Sequence, residues 1–225
     1  MTILQERSSG ILLHITSLPG PHGIGDFGAE SRHFVDWLAT AGQKLWQLLP
    51  TTPIGYGNSP YQGASAFAGS QWMVALEPLI ERGWLAAPVL PPDGFTATQV
   101  DYDRVLPWRE KQLRAAAAGF FERAGPADRK VFAAWLARHA AWLDDYALFM
   151  AIRAPRGGQP WWEWPAPLAS REPVALRAAR AEHAQEIAFW QFVQWWFDTQ
   201  AGELKAYANQ RGVSIMGDLP IFVAH

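Results

Sequence analysis

Apolar residues cluster at Ile11, Leu12, Leu13 and Ile15, so residues 10–16 read as a first buried strand. Ser17-Leu18-Pro19-Gly20-Pro21 closes it, because prolines cannot continue a ladder. Phe34, Trp37, Leu38 and Ala41 then fall at helical spacing on one face, and Gly42 stands where a helix ends in a C′ residue. Residues 44–49 supply a second strand. Strand, helix and strand within about 35 residues is the length of a parallel βαβ crossover, which predicts an α/β sheet or barrel.

The pattern then changes. Residues 71–76 read as a short strand or turn, and residues 86–107 as a Pro-rich irregular stretch around Val100-Asp101-Tyr102-Asp103. Leu113, Ala116, Ala117, Phe120 and Phe121 form an amphipathic helical stripe, and Trp135, Trp142, Tyr146, Phe149 and Arg153 continue into a second helical region. After Gly157-Gly158 and Trp161-Trp162-Glu163-Trp164-Pro165, residues 173–210 read as one long helical stretch. It is apolar nearly all round over 187–197, the mark of a buried helix. Residues 213–216 form a third strand leading to Gly217-Asp218-Leu219-Pro220. The expected division is 1–65 for the start of a sheet, 66–172 for an inserted helical subdomain, and 173–225 for the long helix and third strand. About three parallel strands, followed by an apolar run and no covering helix, leave an open edge and a bare face. That predicts a chain truncated after His225, since an eight-stranded barrel needs about 250 residues.

Composition narrows the function. With 49% hydrophobic and 18% charged residues the chain belongs among folded proteins. A formal charge of −2 without charge runs gives no electrostatic footprint for nucleic acid or an anionic membrane. There is no cysteine, which removes disulfides, thiolate metal sites and cysteine nucleophiles. The apolar run Ile11-Leu12-Leu13 is too short for a signal peptide or a membrane span, so the expected location is cytoplasmic. Tryptophan is abundant, 13 in 225 residues, yet mostly at helical spacing, where core packing explains it.

Residues 50–62 carry the most chemistry. Three prolines and two glycines forbid regular structure, and the loop displays Tyr56, Tyr61, Ser59 and Asn58 after a strand: a stiff aromatic shelf suited to a ring-shaped, hydroxyl-rich ligand. Asp218, directly after the third strand, stands where barrel enzymes keep polar site groups; a loop-capping role is its alternative. His14 reads as a hydrogen-bonded histidine near the sheet or as a ligand contact. Neither it nor His22 has a neighbour at metal-ligand spacing, so no metal site is expected. Gly23-Ile24-Gly25-Asp26-Phe27-Gly28 matches G-x-G-x-x-G, but prolines intervene before it and no acidic residue ends the second strand, so a dinucleotide site is not expected. Glu163 among three tryptophans reads as a packed hinge rather than a second sugar platform.

Four segments carry a resemblance: residues 10–21, Tyr56-Gly57-Asn58-Ser59-Pro60-Tyr61-Gln62, Asp145-Tyr146-Ala147-Leu148-Phe149-Met150 and Gly217-Asp218-Leu219-Pro220-Ile221-Phe222-Val223-Ala224. In this order they resemble amylomaltase, the bacterial 4-α-glucanotransferase family. The resemblance implies the amino-terminal part of a (β/α)8 TIM barrel with a large inserted helical subdomain. It also implies transfer of α-1,4-glucan segments between maltooligosaccharides by a retaining double displacement, without a metal or organic cofactor. By this likeness Tyr61 is the platform at the cleavage point, Ser59 shapes that subsite, and Asp218 hydrogen-bonds the same glucose. Asn58 and His14 join them as substrate contacts, while Tyr56 and Tyr102 match a secondary, outer glucan site. The family's Arg-x-Asp nucleophile, its acid/base Glu and its His-Asp motif have no counterpart in these 225 residues. The chain alone is therefore expected to be inactive, and the parent to be a monomer. The alternatives are a non-catalytic α-glucan-binding module or a related α-glucan hydrolase. Ile15 stands where the family commonly has Pro.

Overall fold

The structure, a computed structural model, describes residues 7–223 apart from 92 and 97. His225 and Ala224, the end of the fourth resembling segment, lie outside the described residues. The chain divides into two compact units. One comprises the chain up to Arg123 together with the segment from Trp196 onward; the other is Ala124–Trp195. The division at 65 and 172 drawn from the sequence remains a proposal about connectivity.

The first unit is built on a parallel sheet. β1 (Gly10–Leu12), α1 (Ala29–Thr40) and β2 (Leu45–Gln47) form the expected crossover, and Gly10 pairs with Leu45. Only glycine fits that register, since a Cβ at position 10 would lie 2.3 Å from the Leu45 Cβ. The strand is shorter than expected. Its ladder ends with the Leu13 N–H donating to the Gln47 carbonyl, and Ile15–Ser17 turns as a 3-10 helix. Nor is β1 buried: Gly10 and Leu12 are exposed and Ile11 half-buried. The reason is that helices cover one face only. Ile11, Trp46 and Ile215 share a row across the sheet and join Val35, Leu38, Leu204 and Ala208 in one core, while Leu12 and Met216 face away from it.

The α1 face is centred on Ser31, Val35 and Leu38. Trp37 and Ala41, expected on that face, are exposed; Phe34 meets Trp46 edge-on at 5.0 Å and Trp37 stacks outside it at 5.6 Å. Gly42 ends the helix as expected, with φ +71° and two Schellman bonds, Gly42 N–H to the Ala39 carbonyl and Gln43 N–H to the Leu38 carbonyl. Residues 71–76 form a 3-10 turn, Gln71–Met73, and a buried lead into α2 (Glu77–Glu81).

α3 spans Tyr102–Arg123, so the stretch expected to be irregular up to 107 is helical from 102 onward. Asp101 caps it by accepting the Arg104 N–H at 3.3 Å, and Pro107, inside the helix, supplies no N–H to the Asp103 carbonyl. Leu113, Ala116, Ala117 and Phe120 are buried as their spacing predicts. β3 (Ser214–Met216) lies parallel to β2, which makes the order β1-β2-β3.

In the second unit α4 (Pro126–Arg153), α5 (Ala166–Ala169) and α6 (Pro173–Glu182) pack through Leu148, Ile152, Trp164 and Ala179. The helix expected over 173–210 is broken at His183, and α7 (Ala184–Gln210) continues from there into the first unit. Phe192 and Val193 on α7 are wholly buried, as an all-round apolar helix requires.

Candidate functional site

Two loops of the first unit meet beyond the carboxyl ends of β2 and β3. The ladder first extends by one bond, Leu48 N–H to the Met216 carbonyl at 2.9 Å. The loop over 50–62 then leaves regular structure except for one 3-10 turn, Tyr56–Asn58. Gly57 and Asn58 are consecutive left-handed residues, φ +65° and +57°, as in a type I′ turn. Its neck is pinched shut. Gly55 donates its N–H to the Ser59 carbonyl at 3.1 Å, and a Cβ on Gly55 would sit 1.7 Å from the Gln62 oxygen. The buried Thr52 hydroxyl donates to the Pro60 carbonyl at 3.0 Å.

This closure presents Tyr61. The Ser59 Oγ accepts the Tyr61 N–H at 3.2 Å, and the Tyr61 phenol donates to Asp218 Oδ2 at 2.7 Å across 157 positions of sequence. The other Asp218 oxygen accepts the Leu219 N–H at 2.8 Å, so the carboxylate is also a loop cap. Hydrogen bonding to Asp218 raises the Tyr61 pKa, which keeps the phenol a proton donor. Tyr61 is 42% exposed. An open ring beside a fixed carboxylate suits a pyranose: the ring takes its C–H face and the carboxylate its hydroxyl donors.

The remaining expected residues are placed apart from that pair. Asn58 and Tyr102 line one cavity of about 390 Å³ with Gln99 and Asp101. Tyr56 stands 93% exposed at the loop apex. His14 precedes the Ile15–Ser17 turn, is buried, and has no hydrogen-bond partner on either ring nitrogen, unlike the hydrogen-bonded histidine that was one expectation. Burial lowers its pKa to about 4, so the ring is neutral at pH 7.

The glycine motif at 23–28 packs against protein instead of opening a phosphate cradle. A Cβ on Gly25 would meet the Ile15 carbonyl at 2.0 Å, and one on Gly23 would meet the Phe95 ring at 2.6 Å. Asp26 is buried and accepts the Gly28 N–H at 3.0 Å and Arg109 Nη2 at 3.2 Å. Desolvation raises its pKa, and the wholly buried Arg109 opposes that rise. His22 lies 3.5 Å from Glu77 and stacks on Trp108. Donor atoms of His22, Asp26 and Glu77 fall within 4.8 Å of one another, a set that could hold a metal, although Arg109 already supplies the positive charge there. Spacing alone did not reveal this network, because Glu77 and Arg109 come from α2 and α3. The presence of an arginine on an apolar helical face was its one sequence signal.

No helix among the described residues is long and apolar enough to cross a membrane. Residues 13–225 match the family model described as 4-alpha-glucanotransferase, glycoside hydrolase family 77. The chain is 50% identical over 218 residues to the 4-alpha-glucanotransferase of Thermus thermophilus, covering 97% of this chain and 43% of that protein. It is 44% identical over 226 residues to the enzyme of that name from Synechocystis sp., covering 99% and 44%. The amylomaltase of Streptococcus agalactiae, solved in complex with acarbose, superposes with a TM-score of 0.88 at 36% identity over 97% of this chain and 44% of that one. The chain thus spans less than half the length of the curated relatives it matches, and its three parallel strands with a largely helical region match part of the amylomaltase structure. On this likeness, the chain belongs to the 4-alpha-glucanotransferase family, glycoside hydrolase family 77.

Proposed function

We propose that this chain forms one wall of the substrate cleft of a 4-α-glucanotransferase, a cytoplasmic enzyme that moves α-1,4-glucan segments between maltooligosaccharides with retention. The observation that carries this reading is the 2.7 Å contact between Tyr61 and Asp218, which joins an aromatic platform to a carboxylate beyond the ends of adjacent parallel strands. In this reading Tyr61 stacks on the sugar at the cleavage point, Ser59 holds Tyr61 in place, and Asp218 accepts from the sugar hydroxyls. His14, neutral at pH 7, is a further substrate contact in this reading. Asn58 is a further substrate contact, and Tyr56 and Tyr102 serve an outer glucan site; the cavity that Asn58 and Tyr102 both line brings the two sets of residues near each other. The acarbose bound to the Streptococcus agalactiae amylomaltase supports an α-glucan ligand.

The chain contains no Arg-x-Asp and no His-Asp sequence. It accordingly binds glucan without cleaving it, and turnover belongs to the full-length parent. The test is incubation of that parent with maltotriose: glucose together with longer oligomers supports transfer, whereas glucose and maltose alone would assign a hydrolase. Release of glucose by the isolated chain would refute its inactivity.

A further inference from the structure

We propose that a cavity within the second unit is a separate binding site for a pyranose ring of an α-glucan. The cavity is about 340 Å³, at the small end of the roughly 300–1,000 Å³ range of small-molecule clefts. Its floor is apolar. Phe149 from α4 packs on the buried Trp164 with ring centroids 5.5 Å apart, and Leu176 from α6 adjoins them. Trp161, 49% exposed, stands at the lip. Opposite in chemistry, and lining the same cavity, is an ion pair, Arg171 Nη2 to Asp145 Oδ2 at 2.7 Å.

These two kinds of wall fit a sugar. A pyranose offers an apolar C–H face to an indole and a rim of hydroxyls to a carboxylate and a guanidinium, which accept and donate in turn. A purely apolar occupant would match the floor and leave the charged pair unused. Trp164 is packed, as expected of this segment, with its Nε1 donating to the Gln159 carbonyl at 3.1 Å; Trp161 and Trp162 are half-exposed and do not share that burial.

The backbone at Arg171 carries the argument further. Arg171 N–H donates to the Leu168 carbonyl and Glu172 N–H to the Pro167 carbonyl, which is a Schellman ending for α5 with Arg171 at C′. Its φ is +57°. That position ordinarily belongs to glycine, and an arginine there gains nothing for the backbone. What it supplies is the guanidinium at the cavity lip.

The inference rests on the α-glucan reading above for the identity of the ligand. It is tested by titrating the chain with maltotriose while following the indole N–H signals by NMR, with Trp161 identified from Trp161→Phe. The expected result is a saturable shift of the Trp161 signal that persists in Tyr61→Ala. Arg171→Gly, which keeps the left-handed backbone, should weaken this Kd by at least about tenfold while the Tm is unchanged or higher. A Trp161 signal that does not move, a shift lost in Tyr61→Ala, or a Kd unaltered by Arg171→Gly would each overturn the site. A Trp161 response alongside no effect of Tyr61→Ala anywhere in the titration would support this site and count against the cleft.

Discussion

Replacing Arg109 by leucine tests the buried network behind the loop that follows β1. Arg109 is wholly buried, bonds Asp26 at 3.2 Å and also donates to the Val74 carbonyl. Arg109→Leu leaves a buried carboxylate with the Gly28 N–H as its remaining hydrogen bond, and breaking a buried pair from one side costs about 3–5 kcal/mol. The sign of its pH dependence follows from Asp26. Burial already holds its pKa above the ordinary 3.8, and loss of Arg109 raises it further. A carboxyl whose folded pKa is raised binds more protons folded than unfolded, so stability falls as pH rises from 3.8 through the folded value. The deficit of Arg109→Leu against the parent should therefore be full at pH 8 and shrink on acidification, by at most about 1.4 kcal/mol per pH unit for one proton. His14 titrates equally in both proteins and cancels in the difference, whereas His22, whose pKa Arg109 helps to hold down, rises when Arg109 is lost and shrinks the deficit on acidification in the same direction. Asp26→Asn/Arg109→Leu should recover most of the loss, retaining about 1–2 kcal/mol for the orphaned Val74 carbonyl. Urea denaturation followed by tryptophan fluorescence at several pH values measures all three. A deficit flat with pH and undiminished in the double variant would refute the account.

His14 should make the chain acid-sensitive: its folded pKa of about 4 against 6.5 gives stability fully present above pH 6.5 and lost as pH falls to 4. The amount is about 3 kcal/mol, and His14→Gln should remove most of that slope in the same denaturation series. Trp46→Phe should cost about 2–3 kcal/mol, since Trp46 is wholly buried and its Nε1 donates to the Leu13 carbonyl at 2.7 Å; a midpoint shift worth under 0.5 kcal/mol would contradict this. Gly55→Ala, whose Cβ would strike the Gln62 carbonyl, should open the loop neck and weaken maltotriose binding at Tyr61 by about tenfold, read by calorimetry, with a smaller effect on Tm.

Local signals were legible in the sequence and distant pairings were not. The crossover from β1 to β2 follows from apolar spacing, and Gly42 marks the end of α1 because only its left-handed backbone allows both Schellman bonds. The start of α3 was hidden because Pro107 outweighed Asp101, a cap whose bond to Arg104 fixes the first turn. Strand lengths were overdrawn because Ile15 is apolar for the helical core and not for the ladder. Tyr61 and Asp218 could each be picked out as a candidate from the strand it follows, but their 2.7 Å contact depends on β2 and β3 being neighbours. Nothing in a sequence reports that Arg171 has a positive φ.

The organisation of the loop over 50–62 separates binding from turnover. Its shape depends on bonds within itself, Gly55 to Ser59, Thr52 to Pro60 and Ser59 to Tyr61, and on anchors outside it, Tyr61 to Asp218, the Ser70 N–H to the Thr51 carbonyl and Ile54 against Ile24 and Trp72, all inside the first unit. A site held by its own turn chemistry loses little conformational entropy when ligand arrives. On the proposed function, such a wall is preorganised before a sugar reaches it. On the proposed function, its contribution should accordingly appear first in sugar affinity and alignment, and Tyr61 and Asp218 variants of a full-length enzyme should affect the chemical step only through that alignment.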